Sequence, residues 1–370
     1  MSARARIGFV IDNHVPGWNA VRQLRCHPWD PFTGWDSRSS VGEMRFHWIA
    51  REVNRAAAGL VYELYRPWRS YDGVVFLKSS GTEAGALAER LRNSGTKVIF
   101  DLNVDYLTPA SGTYYYEGMR PTEAQRDAAL RMTALSDAVI ADSSHLAKQG
   151  RAHHRCVRWV PDNVNFALVP PFQASPRGEK LRLLWSGEAV KLFELLKIES
   201  VLRRSAEKIR LVLVTNDLSA MNRWFGDHAA RFRNLLACLD HEIVPFRSVE
   251  NLMQIYAQGG AIVSPRFLDN TYNLGHTEWK IALGMACGRV ALCSPVPSYL
   301  DVAQRSGGRG IRICRTDDDW LAAIGELLTG GEAAREEDAA RDVIRTHYST
   351  AVVARAHREF IAECLGGRVN

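Results

Sequence analysis

Two short stretches in the second half of the chain gather residue types suited to holding an anion. The first is "LLWSGEAVKLF", in which Gly187 directly follows an apolar run and Lys191 stands four residues on, in the first turn of an expected helix. Glycine lets a ligand approach the backbone, and lysine supplies a point charge for phosphate. The second is "DNTYNLGHTEWKIALGMACGRVAL", residues 269–292, where Asn273, Gly275, His276, Thr277, Glu278 and Lys280 crowd the expected start of a helix. A helix start carries free N–H groups and the positive end of the helix dipole. Two such places in one half of the chain suit a diphosphate better than either does alone.

A third group lies in the first half. The stretch 12–40 follows an apolar run and is long for a strand-to-helix connection, a length that often goes with function. It holds His14, Gly17, Trp18, Trp29 and Trp35, with Arg22, Arg25 and Asp30 between them. Flat aromatic faces with hydrogen-bonding neighbours suit sugar or base stacking, or else pack among themselves as a small satellite core. Asp101, Asn103 and Asp105 follow the apolar run "KVIF". A carboxylate there could orient a substrate hydroxyl or act as a base, or could cap the next turn.

Other chemistries have no residues to carry them. There is no glycine-rich dinucleotide fingerprint after the first strand, no P-loop and no serine nucleophile elbow. Asp317, Asp318 and Asp319 precede a helix and read as its cap, and adjacent His153 and His154 would point apart in a strand, so no metal site is expected. The seven cysteines include no C-x-x-C pair and read as free thiols of a reducing compartment. The net charge of +6 comes without a lysine or arginine run, which argues against a nucleic-acid partner. No apolar stretch is long enough to span a membrane, and no signal peptide is apparent. A cytoplasmic protein is expected, with peripheral contact to a membrane surface left open.

The elements that must position these groups alternate along the chain. Strand-like runs such as "ARIGFVID", "YDGVVFLKS", "TKVIFDLN", "DAVIADS" and "CVRWVPDN" are separated by helical patterns, among them "VGEMRFHWIAREVNRAAAG" with Gly59 as its stop. The rhythm breaks at 164–180, which holds three prolines and no clear period, and restarts with "LRLLWSG", "IRLVLVTN", "HEIVPF", "GAIVSPR", "RVALCS" and "RGIRICR". Alternation of this kind predicts parallel sheets covered by helices on both faces. We expect a first Rossmann-like domain over 1–165. A second follows over 181–345, and a terminal helix over 346–370 returns toward the first.

The second half resembles the nucleotide-sugar-binding domain of GT-B glycosyltransferases, of the broad group that includes the retaining family 4 enzymes. "LRLLWSGEAVKLFELLKIESVL", "ENLMQIYAQGGAIVSPRF" and "NLGHTEWKIALGMACGRVALCSPVPSYLDVA" carry the resemblance, and "LSDAVIADSSHLAKQG" followed by "VRWVPDNVNF" extends it to most of 130–305. The fold it implies is α/β, two doubly wound Rossmann-like domains facing a central cleft. Carried over by position, Gly187, Lys191, Lys280 and the backbone after Gly275 would meet the donor diphosphate. Asn273 and Glu278 would lie near the donor sugar or its ribose. The family often has a glutamate at the positions of Gly275 and Leu283, and this chain has neither.

The resemblance implies transfer of a sugar from a nucleoside diphosphate sugar to an acceptor hydroxyl, metal-independent, retaining and without a cofactor. Lys191 and Lys280 would neutralise the departing diphosphate. The acceptor, carbohydrate, lipid-linked or a small molecule, would meet His14, Gly17, Trp18, Asp101 and Asn103. A non-catalytic GT-B-like subunit that binds a sugar or stabilises a partner, and a sugar-nucleotide epimerase, are the alternatives.

Overall fold

The computed structural model describes residues 4–15, 40–56, 59–116, 118–174, 179–330 and 333–367. Among the described residues, twelve strands form two six-stranded sheets. The first holds β1 (Ala5–Ile11), β2 (Leu60–Leu64), β3 (Gly73–Leu77), β4 (Lys97–Leu102), β5 (Ala138–Ala141) and β6 (Val157–Trp159), in the order β2-β1-β3-β4-β5-β6. The second holds β7 (Leu181–Ser186), β8 (Ile209–Thr215), β9 (His241–Pro245), β10 (Ala261–Ser264), β11 (Ala291–Cys293) and β12 (Ile311–Ile313), in the order β12-β11-β10-β7-β8-β9. Every strand pairing within them is parallel. The α/β, doubly wound fold class expected from the sequence is the one observed.

The reason lies in the strands. Parallel sheets are buried on both faces, so their strands must be apolar at every position rather than at every other one. In β3, Val75 and Leu77 enter one core with Ile7, Phe9 and Ile99, while Val74 and Phe76 enter the opposite one with Val10, Val98 and Phe100. One strand was not visible as such in the sequence. β2 follows Gly59 at once, lies at the edge and pairs with β1 from Ala5↔Leu60 to Phe9↔Leu64.

The chain divides into two compact units, Met1–Ala110 with Pro121–Asn165 and Ser349–Asn370, and Ser111–Arg120 with Phe166–Tyr348. In the first unit the terminal helix Thr350–Cys364 packs on Ile49–Ala56. In the second, ten residues drawn from the middle of the 1–165 stretch, "SGTYYYEGMR", belong to the unit built on the second sheet. Gly112 pairs with Asn270 and Tyr116 with Trp224, and Tyr115 stacks on Phe267 and Phe193 with ring centroids 4.5 and 4.9 Å apart.

Gly112 makes this approach possible. Its φ is +88°, and a Cβ there would lie 1.5 Å from the Asp269 carbonyl oxygen. Gly112→Ala is therefore expected to lift the segment from the 269–270 backbone and destabilise the second unit by on the order of 1–2 kcal/mol. Urea unfolding followed by tryptophan fluorescence checks this, and an unchanged midpoint would count against the contact.

Candidate functional site

In the second sheet the chain runs outward from β7 through β8 to β9, then returns to the other side of β7 with β10. The adjacent pair β7 and β10 is therefore the switch point of the sheet. In open α/β sheets the loops leaving the carboxyl ends of such a pair diverge and leave a crevice in which ligands bind. The loops that leave here are 187–188, after β7, and 265–270, after β10.

Gly187 is the first residue after β7, with φ +150°, and a Cβ on it would sit 3.0 Å from the Trp185 ring and 3.4 Å from Lys280 Nζ. Lys191 is the third residue of the 3-10 helix Ala189–Ile198 that follows, where the sequence predicted an ordinary helix over about 190–206. Glu194, on the same helix, is 1 % exposed. The residues after β10 bring Arg266, 3 % exposed, into an ion pair with Glu194 Oε1. Lys280 reaches the same carboxylate, with Nζ 3.9 Å from Glu194 Oε2 and 4.4 Å from the centre of the Trp185 ring. Arg266 and Lys280 thus share one buried carboxylate, and Lys191 on the same helix as Glu194 adds a third cation farther from it. Lys280 Nζ, Arg266 Nε and Glu194 Oε2 are buried with no hydrogen-bond partner.

The charges of the three respond differently to this crowding. Burial first, then repulsion from Arg266 and Lys191, push the Lys280 ammonium well below its ordinary pKa, against the opposing pull of Glu194. Burial also works against Lys191, but Tyr272 foremost, then Glu188 and Glu194, bring it above its usual value. Arg266 is buried and stays charged because Glu194 lies against it. His276 is pushed well below the usual imidazole value by burial and then by Arg266, Lys191 and Lys280, so its ring is neutral.

The polar collar at 269–280 is not the start of one helix. Asn270 caps a single turn, Thr271–Leu274, by accepting from Asn273 N at 2.8 Å, and Gly275 ends that turn. A separate helix, Trp279–Ala286, begins after Glu278. Asn273 is fully buried and donates from Nδ2 to the Phe267 carbonyl at 2.7 Å, which ties the loop, while its Oδ1 is buried with no hydrogen-bond partner. Gly275 is buried, and Thr277 is half-buried between the two helices. His276 stands edge-on to Tyr272, with ring centroids 4.9 Å apart. Glu278 is buried directly before the second helix, and after burial its charge pushes the Tyr348 phenol up. Gly284 brings the second helix onto β10, where a Cβ would meet Ile262 Cγ1 at 2.2 Å. Leu283, where the resembled family often has a carboxylate, is 1 % exposed.

The residues expected on the acceptor side belong to the first unit. His14 is exposed just past β1, beside Asp12 and Asn13, which have positive φ. Gly17 and Trp18 lie outside the described residues. Asp101 departs from the expectation. Both of its oxygens are taken by Arg45, at 2.8 Å from Nη2 and 3.1 Å from Nε, and it is fully buried. Fully buried, this carboxylate presents no exposed oxygen to an acceptor hydroxyl. Asn103 lies beside it, its amide between Asp101 and Asp142.

Sequence reasoning missed Glu194, Arg266 and Tyr272. The signal for the first two was present. Glu194 is the single acid in "AVKLFELL", and Arg266 stands two residues beyond an apolar strand. Among the described residues no group of three or more His, Cys, Asp or Glu side chains converges as a metal site, and no helix is long and apolar enough to cross a membrane.

No protein-family model matches the sequence, and no curated protein matches it. Solved structures share the fold across nearly the whole chain. The Anabaena protein HepE in complex with UDP and glucose is similar at a TM-score of 0.65, with 10% identity over 97% of this chain and 100% of that one. Sucrose-phosphate synthase from Thermosynechococcus elongatus aligns at 0.61, with 16% identity over 98% and 100%. A glycosyltransferase from Rickettsia africae aligns at 0.61, with 12% identity over 99% of each chain. The chain has the fold of these GT-B glycosyltransferases.

Proposed function

We propose that this chain is a glycosyltransferase that holds a nucleoside diphosphate sugar at the switch point of its second sheet and transfers the sugar to an acceptor hydroxyl. One observation carries the reading. Arg266 and Lys280 meet there at a single buried carboxylate and Lys191 acts on the same cluster, an excess of positive charge that a diphosphate would neutralise. The likeness to HepE, whose structure holds UDP and glucose, supports the choice of ligand. In the proposed reaction the charge that develops on the leaving diphosphate meets these three side chains, so no metal or cofactor is needed to stabilise it. We propose a retaining outcome, in which the departing phosphate takes the acceptor proton.

A second reading, a non-catalytic sugar-nucleotide-binding subunit, draws on Leu283 and Gly275, which are buried and put no carboxylate where the resembled family often has two. A thermal-shift screen of nucleoside diphosphates and their sugars, followed by product analysis with the best donor, separates the two. A ligand that binds the folded state raises Tm by mass action. Stabilisation with release of free nucleoside diphosphate supports the enzyme. Stabilisation without turnover under any acceptor supports the binding subunit. A screen with no stabilising nucleotide contradicts both.

The depressed Lys280 pKa makes the binding pH-dependent, with a definite sign. In the free protein Lys280 gives up its proton at lower pH than an ordinary lysine. A diphosphate beside it favours the ammonium form, so binding should take up a proton. Affinity is full below the Lys280 pKa of the free protein and falls above it, by at most about tenfold per pH unit. Calorimetric titrations with UDP in buffers of different ionisation enthalpy read the uptake directly. Affinity that is flat with pH, with no buffer dependence of the heat, would contradict the assignment.

A further inference from the structure

Packing does not explain why residue 194 is a carboxylate. The 3-10 helix Ala189–Ile198 buries eight side chains, and Glu194 is the one among them that is not apolar. A carboxylate in that company costs stability unless cations hold it, and an apolar side chain of similar size would not. Side chains three residues apart eclipse in a 3-10 helix, so Glu194 stands in line with Lys191 on one face.

Each oxygen of Glu194 faces a different cation. Oε1 accepts from Arg266 Nη1, and Oε2 lies 3.9 Å from Lys280 Nζ. The second distance is too long for a hydrogen bond, and Oε2, Lys280 Nζ and Arg266 Nε are all buried without a hydrogen-bond partner. Lys280 is thus drawn to the carboxylate by charge and lies 4.4 Å over the centre of the Trp185 ring, with its N–H donors unbonded. Arg266 is anchored through Nη1 and keeps Nε unbonded.

We propose that Glu194 is the positioning residue of the diphosphate seat, fixing Arg266 through one oxygen and, through the other, keeping Lys280 in the ammonium form without occupying its donors. This rests on the diphosphate reading of the pocket and adds to it the residue that readies two of the cations before a ligand arrives. The charges that act on Lys280 are those of Glu194 and Lys191 from the 3-10 helix and of Arg266 from the loop after β10, and His276, which Lys280 itself holds down, is neutral. Of these groups only Glu194 favours the ammonium. Without it Lys280 would face two cations and no anion, and would give up its proton at lower pH. A neutral amine still donates a hydrogen bond to phosphate, but it brings no charge.

The test uses inorganic pyrophosphate and UDP as probes, with Glu194→Gln, Glu194→Asp, Lys280→Ala and the Glu194→Gln, Lys280→Ala double variant of the full chain. Near-ultraviolet circular dichroism confirms the fold. Glutamine keeps an acceptor for Arg266 and removes the charge. In the ligand-free protein, NMR of isotope-labelled lysine, with Lys280→Ala to identify the signal, should show Lys280 titrating about 1–2 pH units lower in Glu194→Gln. Calorimetric affinity for both probes should fall by about threefold or less at pH values where both proteins hold the Lys280 proton. The loss should grow to about 10- to 100-fold where only the wild type holds it. The pH dependence of the loss should vanish in the Lys280→Ala background.

Three results would overturn the proposal. A loss equal at every pH would make Glu194 a packing residue, tighter binding at every pH would make it a competitor of the ligand, and an unmoved Lys280 titration would separate the two residues. If the glutamine variant does not fold, Glu194→Asp carries the test, since it draws the carboxylate back by one methylene. Lys280 should then titrate about half a pH unit lower and both probes bind about threefold more weakly, and wild-type values of both overturn the proposal. If the lysine titration and pyrophosphate binding behave as expected but no nucleotide sugar yields free nucleoside diphosphate, the proposal stands and the glycosyltransferase reading falls. If the wild type turns over a nucleotide sugar while Glu194→Gln titrates and binds as wild type does, the reverse holds. A wild type that binds neither probe overturns both.

Discussion

Replacing Arg45 with methionine is expected to destabilise the first unit by about 3–5 kcal/mol at neutral pH, the usual cost of leaving a buried charge without its partner. Arg45 lies in a π-helical turn, Glu43–Trp48, within a helix the sequence predicted as plain amphipathic. The wide turn lets Met44, Arg45, Phe46 and Trp48 all point inward. Arg45 is completely buried, donates twice to Asp101, and reaches Asp162 Oδ1 at 3.0 Å and the Val160 carbonyl at 3.1 Å. Three carboxylates, those of Asp101, Asp142 and Asp162, act on this one guanidinium.

The pH dependence of that loss follows from the carboxylates. Burial raises the Asp101 pKa although Arg45 opposes it, and burial followed by Asp162 raises that of Asp142 far more. A carboxyl whose folded pKa lies above its unfolded value contributes stability that is present at low pH and is lost as pH rises through the folded value. Removing Arg45 lifts the folded values further. The difference between wild type and Arg45→Met should therefore be largest at neutral pH and shrink as pH falls and the carboxyls take protons. Urea unfolding at a series of pH values checks this, and a difference that stays constant with pH would show that packing, not charge, is what Arg45 supplies.

Lys280→Ala carries the other large effect. A charge-assisted hydrogen bond to phosphate contributes on the order of 1.5–3 kcal/mol, so nucleoside diphosphate binding should weaken by roughly 10- to 100-fold. Turnover should fall further, because charge on the leaving diphosphate grows in the transition state. The fold should survive and could gain, since Lys280 Nζ is buried without a hydrogen bond beside Arg266 and Lys191. Its loss removes repulsion, while Glu194 keeps its ion pair with Arg266. Lys280→Arg should recover only part of the affinity, because a planar fork does not fit where a compact ammonium lay over Trp185. Calorimetry with UDP, alongside thermal unfolding, reads both halves. A Lys280→Ala protein that binds as wild type does would remove Lys280 from the phosphate seat.

Much of this was legible in the sequence, and the reasons differ by residue. The central strands of the second sheet, β7, β8, β10 and β11, announce themselves because each has apolar residues at successive positions, whereas the edge strands β9 and β12 are short and carry polar residues. β2 did not, because Gly59 reads as a helix stop and "LVYELYRPW" has no clean period. Lys191, Lys280 and Gly187 were singled out because glycine and lysine near a strand end or helix start are a local signal, and a Cβ on Gly187 would lie 3.4 Å from Lys280 Nζ. Asp101 was misread because its partner Arg45 stands 56 residues earlier, inside what looked like an ordinary helix. Glu278 was assigned to the donor by its place in a motif, and it is buried at the break between the two helices, a break that no periodicity announced. The joining of 111–120 to the second unit was beyond reach, since no periodicity encodes a long-range crossing.

The central claim is that the switch point of the second sheet is a diphosphate seat. The most direct measurement is a crystal structure of the protein saturated with UDP. The account predicts both phosphates between Lys191, Arg266 and Lys280, with phosphate oxygens within about 4 Å of each cationic nitrogen. UDP bound elsewhere on the chain, or a pocket still empty at saturating nucleotide, would contradict it.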